Sequence, residues 1–370
     1  MVMTSLPDAR LRKNLDLSLL LFAVLTVVLG IITLFSASKG SATPFYQKQM
    51  MFAVLGVVAM VATASYDYAR LPRLSRWFYG LNITFLLYVL YFVPKIKGAA
   101  RWINLGPIQF QPSEFAKIAM IICLAAWLQK RSEKITELPT LLASLAYIGL
   151  PMALIFKQPD LGTSLVLLAI WFGMTFIAGA KVSHLLSIAL VGLILFTGMW
   201  RLDIVKQYQK DRLSAFINPE WDPKEAGYHV LQSRIAVGSG RIWGKGLLQG
   251  TQAHGKFIPE NHTDFIFTVI GEEGGFVFSS LLVFLYGGIL YRGSVVMAQA
   301  EDQLGRLLAT GVVSLYAFHI IVNIGMTVGI MPVTGVPLPL FSYGGSNLLL
   351  NLVAIGILLS IGMRRHKLTF

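Results

Sequence analysis

The chain has 370 residues, 55% of them hydrophobic and 13% charged, with a formal net charge of +13 and a mean hydropathy of +0.66. Soluble domains carry about 25% charged residues, so this composition excludes a soluble enzyme and one held by a single anchor. The positive excess suits anionic lipid head groups or an anionic ligand; no nucleic-acid partner is expected, and the single Cys123 permits no internal disulfide.

Arg10, Arg12 and Lys13 precede an apolar run from Leu15 to Phe35. The run is longer than a signal-peptide core and further spans follow, so it reads as an uncleaved first helix. Counting from it, ten apolar spans lie near 16–36, 49–66, 75–94, 113–129, 139–157, 163–180, 183–200, 265–291, 306–331 and 346–363. Each must be helical, because hydrocarbon offers no partner to an unpaired backbone group. The expected fold is all-α, a polytopic integral membrane protein with 1–370 as one transmembrane domain. Residues 201–264, between spans seven and eight, are polar and too long for an idle connection, so they read as a large structured extracytoplasmic loop.

Orientation follows from Lys and Arg in the short loops. With the N-terminus in the cytoplasm, the inner segments hold fifteen basic residues and the short outer loops six: Lys39, Lys48, Lys95, Lys97, Arg101 and Lys157. Both termini are therefore expected inside. The long loop adds nine outside: Arg201, Lys206, Lys210, Arg212, Lys224, Arg234, Arg241, Lys245 and Lys256. They form either a solvated surface or an electropositive bowl for a phosphate-bearing ligand.

Polar stretches punctuate the spans. Ser36 and Lys39 match S-x-x-K, but no Lys-Thr-Gly follows, so the match is discounted. Ser113 after Pro112 is a natural helix cap. It places Glu114 and Lys117 three apart on one helical face, either a binding pair at membrane depth or an internal salt bridge. Asp160, in a turn between two spans, either caps the next helix or faces the ligand. The glycines from Gly238 to Gly250 fit no dinucleotide fingerprint or P-loop, yet with Arg241 and Lys245 they could wrap a diphosphate.

The sharpest stretch runs from Glu260 to Phe267, where Asp264 stands at the entry to the eighth span. Transfer from a sugar diphosphate needs one base for the attacking hydroxyl and cations for the departing diphosphate, whereas ordinary glycoside hydrolysis wants two carboxylates. One carboxylate at the membrane edge, made more basic by desolvation, suits the transfer; a helix N-cap is the bland alternative. Glu272 and Glu273 are adjacent, cannot share a helical face, and receive no role. The six His residues lack ligand spacing, and His319 reads as a packing residue. The uncharged segment from Pro332 to Ser346 breaks helicity at membrane depth and must be buried or line a cavity.

Four blocks, Gln111–Glu114, Gln158–Gly162, Glu260–Phe267 and Gly335–Gly345, resemble the SEDS family (shape, elongation, division and sporulation) in order along the chain. The stretch Gly227–Gly240, followed by Gly250, Thr251 and Gln252, is more similar to the elongation branch than to the division branch. One departure is Gly274, where the family pattern has Leu. The resemblance implies a peptidoglycan glycosyltransferase of the bacterial cytoplasmic membrane that polymerises lipid II, the undecaprenyl-diphosphate-linked disaccharide-pentapeptide, on the outer face. It also implies a class B penicillin-binding protein and the elongation machinery as partners. Asp264 falls on the family's essential aspartate, and Glu114, Lys117 and Asp160 fall on positions of its cavity. The expectation is therefore Asp264 as base, with Lys117, Glu114, Arg101, Asp160, Lys48, Arg234, Arg241 and Lys245 around the substrate. No cofactor is required by the residues, although a divalent cation, Mg2+ or Mn2+, could assist the diphosphates. The alternatives are an ion-driven transporter that flips the same lipid, and a scaffold that positions other proteins.

Overall fold

The computed structural model describes residues 14–39, 44–94, 101–106, 108–202, 205, 207–218, 226–255, 257–258 and 260–365. Of the basic residues counted for orientation and for the long loop, Arg10, Arg12, Lys13, Lys95, Lys97, Lys206, Lys224, Lys256 and Lys367 lie outside the described residues. Ten long helices appear where ten spans were expected: α1 Leu17–Ala37, α2 Phe45–Ser65, α3 Leu71–Phe92, α4 Pro112–Gln129, α5 Leu138–Lys157, α6 Leu161–Ile177, α7 Val182–Arg201, α11 Ile266–Ala298, α12 Gln303–Val328 and α13 Gly345–Met363. Within the polar segment lie three shorter helices, α8 Gln207–Ile217, α9 Ala226–Ser239 and α10 Thr251–His254. By length and composition alone, 7 of the long helices could cross a membrane. The others are α6, which is short, α3, with Arg73 and Arg76, and α4, with Glu114 and Lys117. The sequence reading missed a small antiparallel hairpin ahead of α4, β1 Ile103–Leu105 and β2 Ile108–Phe110, whose alternation is too short to register.

Side-chain bonds sort the loops into two ends. At one end Arg292 clamps the Asp16 carboxylate in a bidentate pair, Nη2 to Oδ2 at 2.7 Å, and Asp16 also caps α1. Tyr68 donates to Asp302, and Arg364 donates to the carbonyls of Ala64 and Ser65. At the other end Lys39 reaches the carbonyl of Leu248, and Gln49 spans Ser342 and Gly344. The core is continuous through the bundle, and α4 and α13 are buried almost throughout. Helix α7, by contrast, buries only Leu185. Its apolar surface, like that of α1 and α2, faces what the composition demands, hydrocarbon.

Close helix packing rests on small residues. Helix α2 lies along α13, with Gly56 beneath Leu352, Gly345 beneath Phe52, and Gly356 against the carbonyl of Met60. The polar segment is not only an outer cap. Helix α9 packs against α11 and α12, and residues 240–246 run against the first turns of α11. There α11 is broken at Gly275, with φ 64° and ψ −157°, a conformation open essentially to Gly alone. The break frees Phe276 and Val277 N–H groups, which donate to the carbonyls of Arg241 and Ile242.

A Cβ at position 275 would collide with the Gly244 nitrogen and the Ile242 carbonyl. Gly275→Ala should therefore cost more than about 1 kcal/mol, because both the dihedral and the contact are incompatible with Ala. The check is the apparent melting temperature of the protein in detergent; an unchanged value would show that the kink tolerates a side chain.

Candidate functional site

Asp264 closes the turn that leads into α11, and main-chain bonds hold that turn from several sides. Thr263 and Phe265 donate to the Glu260 carbonyl at 3.1 and 3.4 Å. Tyr343 N donates to the His262 carbonyl at 2.9 Å, and Ser342 Oγ donates to the Thr263 carbonyl at 2.7 Å. The His262 ring stacks on Phe45 with centroids 4.1 Å apart. The N-cap of α11 is Phe265, without a side-chain bond, so Asp264 does not cap the helix. Its half-buried carboxylate instead faces Gly335, whose Cβ, if present, would stand 3.3 Å from Oδ2 and 3.8 Å from Nη1 of Arg212.

Burial pushes the Asp264 carboxyl up to about 6, and the neighbouring Glu260 carboxylate pushes the same way. The guanidiniums of Arg212 and Arg101 oppose that shift, while Asp160 adds to it. These five groups therefore share one electrostatic neighbourhood: two cations flanking a carboxylate whose basicity is raised toward neutrality. Arg101 is fixed by the carbonyls of Gln158 and Pro159 in the turn before α6. Asp160 caps that helix, accepting from Thr163 N at 3.2 Å and Thr163 Oγ1 at 3.0 Å, and it also accepts from Ser113. Ser113 is thus not the cap expected of it; the cap is Gln111, two residues earlier, and α4 starts at Pro112.

Glu114 and Lys117 form the layer beneath. Lys117 Nζ lies 2.8 Å from Glu114 Oε1, and both side chains are 4% exposed. The same ammonium lies 3.2 Å from Nε2 of His319, whose Nδ1 is 2.8 Å from the carbonyl of Pro337. An ammonium only donates and a carbonyl only accepts, so these partners fix a neutral imidazole protonated on Nδ1. His319 is a satisfied residue, as expected, but it also ties α4 and α12 to the irregular segment. Lys117 is committed inside the protein, which is the salt-bridge alternative with a third member added.

The remaining candidates stand elsewhere. Lys48 and Arg241 are exposed, and Arg234 lies over Gly329 at the end of α12. Lys245 is 2.6 Å from Glu272 Oε1, a carboxylate fully removed from solvent. Glu272 Oε1 also accepts from the backbone of Thr251 and Gln252, at 2.8 and 3.0 Å. Glu273 Oε1 accepts from Ser36 Oγ at 2.6 Å and Gly250 N at 3.2 Å. The adjacent acids do point apart, as helical geometry requires, but residues 245–252 wrap both faces, so each has a role in holding the loop. Gly274 sits at that junction, with Phe278 packed where a Cβ would go.

Sequence reasoning missed Arg212, one basic residue among nine in the loop. It also passed over Glu260 as a partner of Asp264, although the spacing of four placed them in one turn. Among the described residues no three His, Cys, Asp or Glu side chains converge to hold a metal ion.

Residues 16–367 match the cell cycle protein family that unites FtsW, RodA and SpoVE. The peptidoglycan glycosyltransferase RodA of Treponema pallidum (strain Nichols) is 34% identical, over 95% of this chain and 98% of that protein. The probable peptidoglycan glycosyltransferase FtsW of Geobacter sp. (strain M18) is 36% identical, over 95% and 98%. A solved chain described under the structural coordination of polymerization and crosslinking by a peptidoglycan synthase complex superposes with a TM-score of 0.82 at 31% identity, covering 95% of this chain and 99% of that one. The chain belongs to the FtsW/RodA/SpoVE family, the SEDS family, and is a multi-pass membrane protein.

Removing one member of a buried ion pair leaves an uncompensated charge, at a cost of about 3–5 kcal/mol. Lys117→Met should therefore lower the apparent melting temperature sharply, and Lys117→Met/Glu114→Gln should recover most of it. If the single variant melts like the wild type, the pair is not the structural tie that its burial indicates.

Proposed function

We propose, from this family membership and the geometry around Asp264, that the chain is a peptidoglycan glycosyltransferase in which Asp264 is the general base. The observation that carries the reading is one carboxylate of raised basicity between two guanidiniums, with no second carboxylic acid required. In the reaction Asp264 takes the proton of the acceptor sugar hydroxyl as its oxygen attacks the anomeric carbon of the lipid-diphosphate sugar. The anomeric carbon–oxygen bond breaks, and the electron pair leaves on the diphosphate. Arg101 and Arg212 stand where that charge develops, so the leaving group needs no proton. Lipid II is the substrate that unites a diphosphate, a sugar and a membrane anchor.

The direction of insertion follows from charge. The end carrying Asp16, Arg292, Arg306 and Arg364 is cytoplasmic, and the end carrying Asp264 faces the exterior. A class B penicillin-binding transpeptidase as partner is supported by the similarity to a chain from a complex that couples polymerization to crosslinking. Assignment to elongation rests on the Gly227–Gly240 and Gly250–Gln252 stretches, since the identities to RodA and FtsW relatives, 34% and 36%, do not separate the branches. A flippase would use the same charges for transport, but polymer made without a membrane to cross excludes it.

Asp264→Asn keeps the shape and loses the basicity, so turnover of purified protein on labelled lipid II in detergent should fall by about 10²–10⁴-fold. Equal polymer from both forms removes Asp264 from the mechanism, and none from either supports the transporter. Because the ionised carboxylate is the active form and its pKa is about 6, wild-type turnover should fall as pH drops below that value, approaching about tenfold per unit. Orientation is read in intact cells with an impermeant thiol reagent: Gln249→Cys should label and Ser132→Cys should not. The reverse pattern inverts the topology.

A further inference from the structure

His319, Asn323 and Thr327 lie four residues apart on α12 and are all buried, so they form one polar stripe on a membrane-spanning helix. Each is tied to a different element. His319 holds Pro337 and Lys117, while Thr327 gives its carbonyl to Ser233 of α9 at 2.6 Å. Asn323 does something more specific. Its Nδ2 donates to the main-chain carbonyl of Asp264 at 2.8 Å and to that of Val336 at 2.6 Å. One amide nitrogen thus joins the residue that carries the carboxylate to the strip of backbone that the carboxylate faces, since Gly335 adjoins Val336. Both acceptors are carbonyls, so the amide can have only this orientation.

That orientation leaves Asn323 Oδ1 buried without a hydrogen-bond partner among the described residues. Burying an unsatisfied amide oxygen costs about 1–3 kcal/mol, and an apolar side chain of similar volume would avoid it. The arrangement is thus poorly explained by packing alone. The two donor bonds, however, fix the distance across which Asp264 meets Gly335 and Arg212.

We propose that Asn323 is the positioning residue of the site, setting the separation of Asp264 from the Gly335–Val336 backbone through its two donor bonds. The inference rests on the proposed role of Asp264. It touches no substrate; it acts through the carboxylate. A displacement of about 1 Å at a reacting group can cost about 10²-fold in rate, so the effect belongs in kcat rather than in substrate binding. Loosening the turn would also admit water to Asp264. Around the carboxylate Glu260, Arg212, Arg101 and Asp160 remain in place, so the lost desolvation should lower its pKa.

The test uses full-length protein in detergent with lipid II, measured per folded molecule after size-exclusion chromatography. Asn323→Leu is close in volume, carries no charge and removes both donors; Asn323→Ser keeps one hydroxyl donor and carries the same reading should the first variant fail to fold. The expected result is kcat lowered about 10- to 100-fold, KM within about threefold of wild type, and the acidic limb of the kcat–pH profile moved to lower pH. A residue that only packs α12 would lower the yield of folded protein and leave per-molecule turnover and the pH limb where they were, which overturns the proposal. Wild type and Asp264→Asn run alongside: should they not differ, the Asp264 reading fails first, whereas a clear difference with wild-type behaviour of the Asn323 variants defeats this inference alone.

Discussion

Backbone that leaves helical geometry inside a membrane protein must find partners for every N–H and C=O within the protein, and residues 332–344 meet that demand with side chains from around the bundle. Gln49 of α2 takes Ser342 and Gly344, Tyr286 of α11 donates to Pro339, and His319 and Asn323 of α12 take Pro337 and Val336. Ser342 answers its own Leu338 N and reaches Thr263. The segment is thereby tied to α2, α11 and α12, and Asp264 faces it. The polar residues that look costly inside the bundle are the means by which an irregular wall is built there.

Charge is handled by the same rule. Among the described residues three buried acids sit in ion pairs, Glu114 with Lys117, Asp16 with Arg292 and Glu272 with Lys245, while Asp160 and Glu273 accept from hydroxyl and backbone donors. Asp264 differs in being half-buried, with the guanidiniums of Arg212 and Arg101 in its electrostatic neighbourhood. A carboxylate locked to a guanidinium would be a poor base, so this environment suits the base proposed for it.

Much of this was legible in the residues. Apolar run length gave the ten long helices, and the position of Asp264 at a polar-to-apolar border gave the candidate base. The uncharged, proline-rich stretch near Pro332 could only be a buried wall. What the sequence could not supply were pairings across long separations. The i,i+3 spacing of Glu114 and Lys117 was visible, but not His319, 202 residues away, which turns the pair into a structural tie. Glu272 and Glu273 looked idle because their donors come from a loop whose path depends on the Gly275 break. Arg212 was one cation among nine until α8 placed it beside Gly335.

The packing of α2 on α13 sets a condition on biosynthesis. Helix α2 is made long before the surface it fits, from Gly345 to Met363. Helix α1 likewise waits for α11, because Ser36 finds Glu273 only 237 residues later. The amino-terminal helices must therefore persist in lipid with unmatched small-residue faces throughout most of translation. Closure of the bundle, and with it the seating of Gln49 against the wall facing Asp264, waits until α13 has been made. A nascent chain interrupted before residue 345 would hold the Asp264 turn without the helix, Gly345–Met363, that packs on α2.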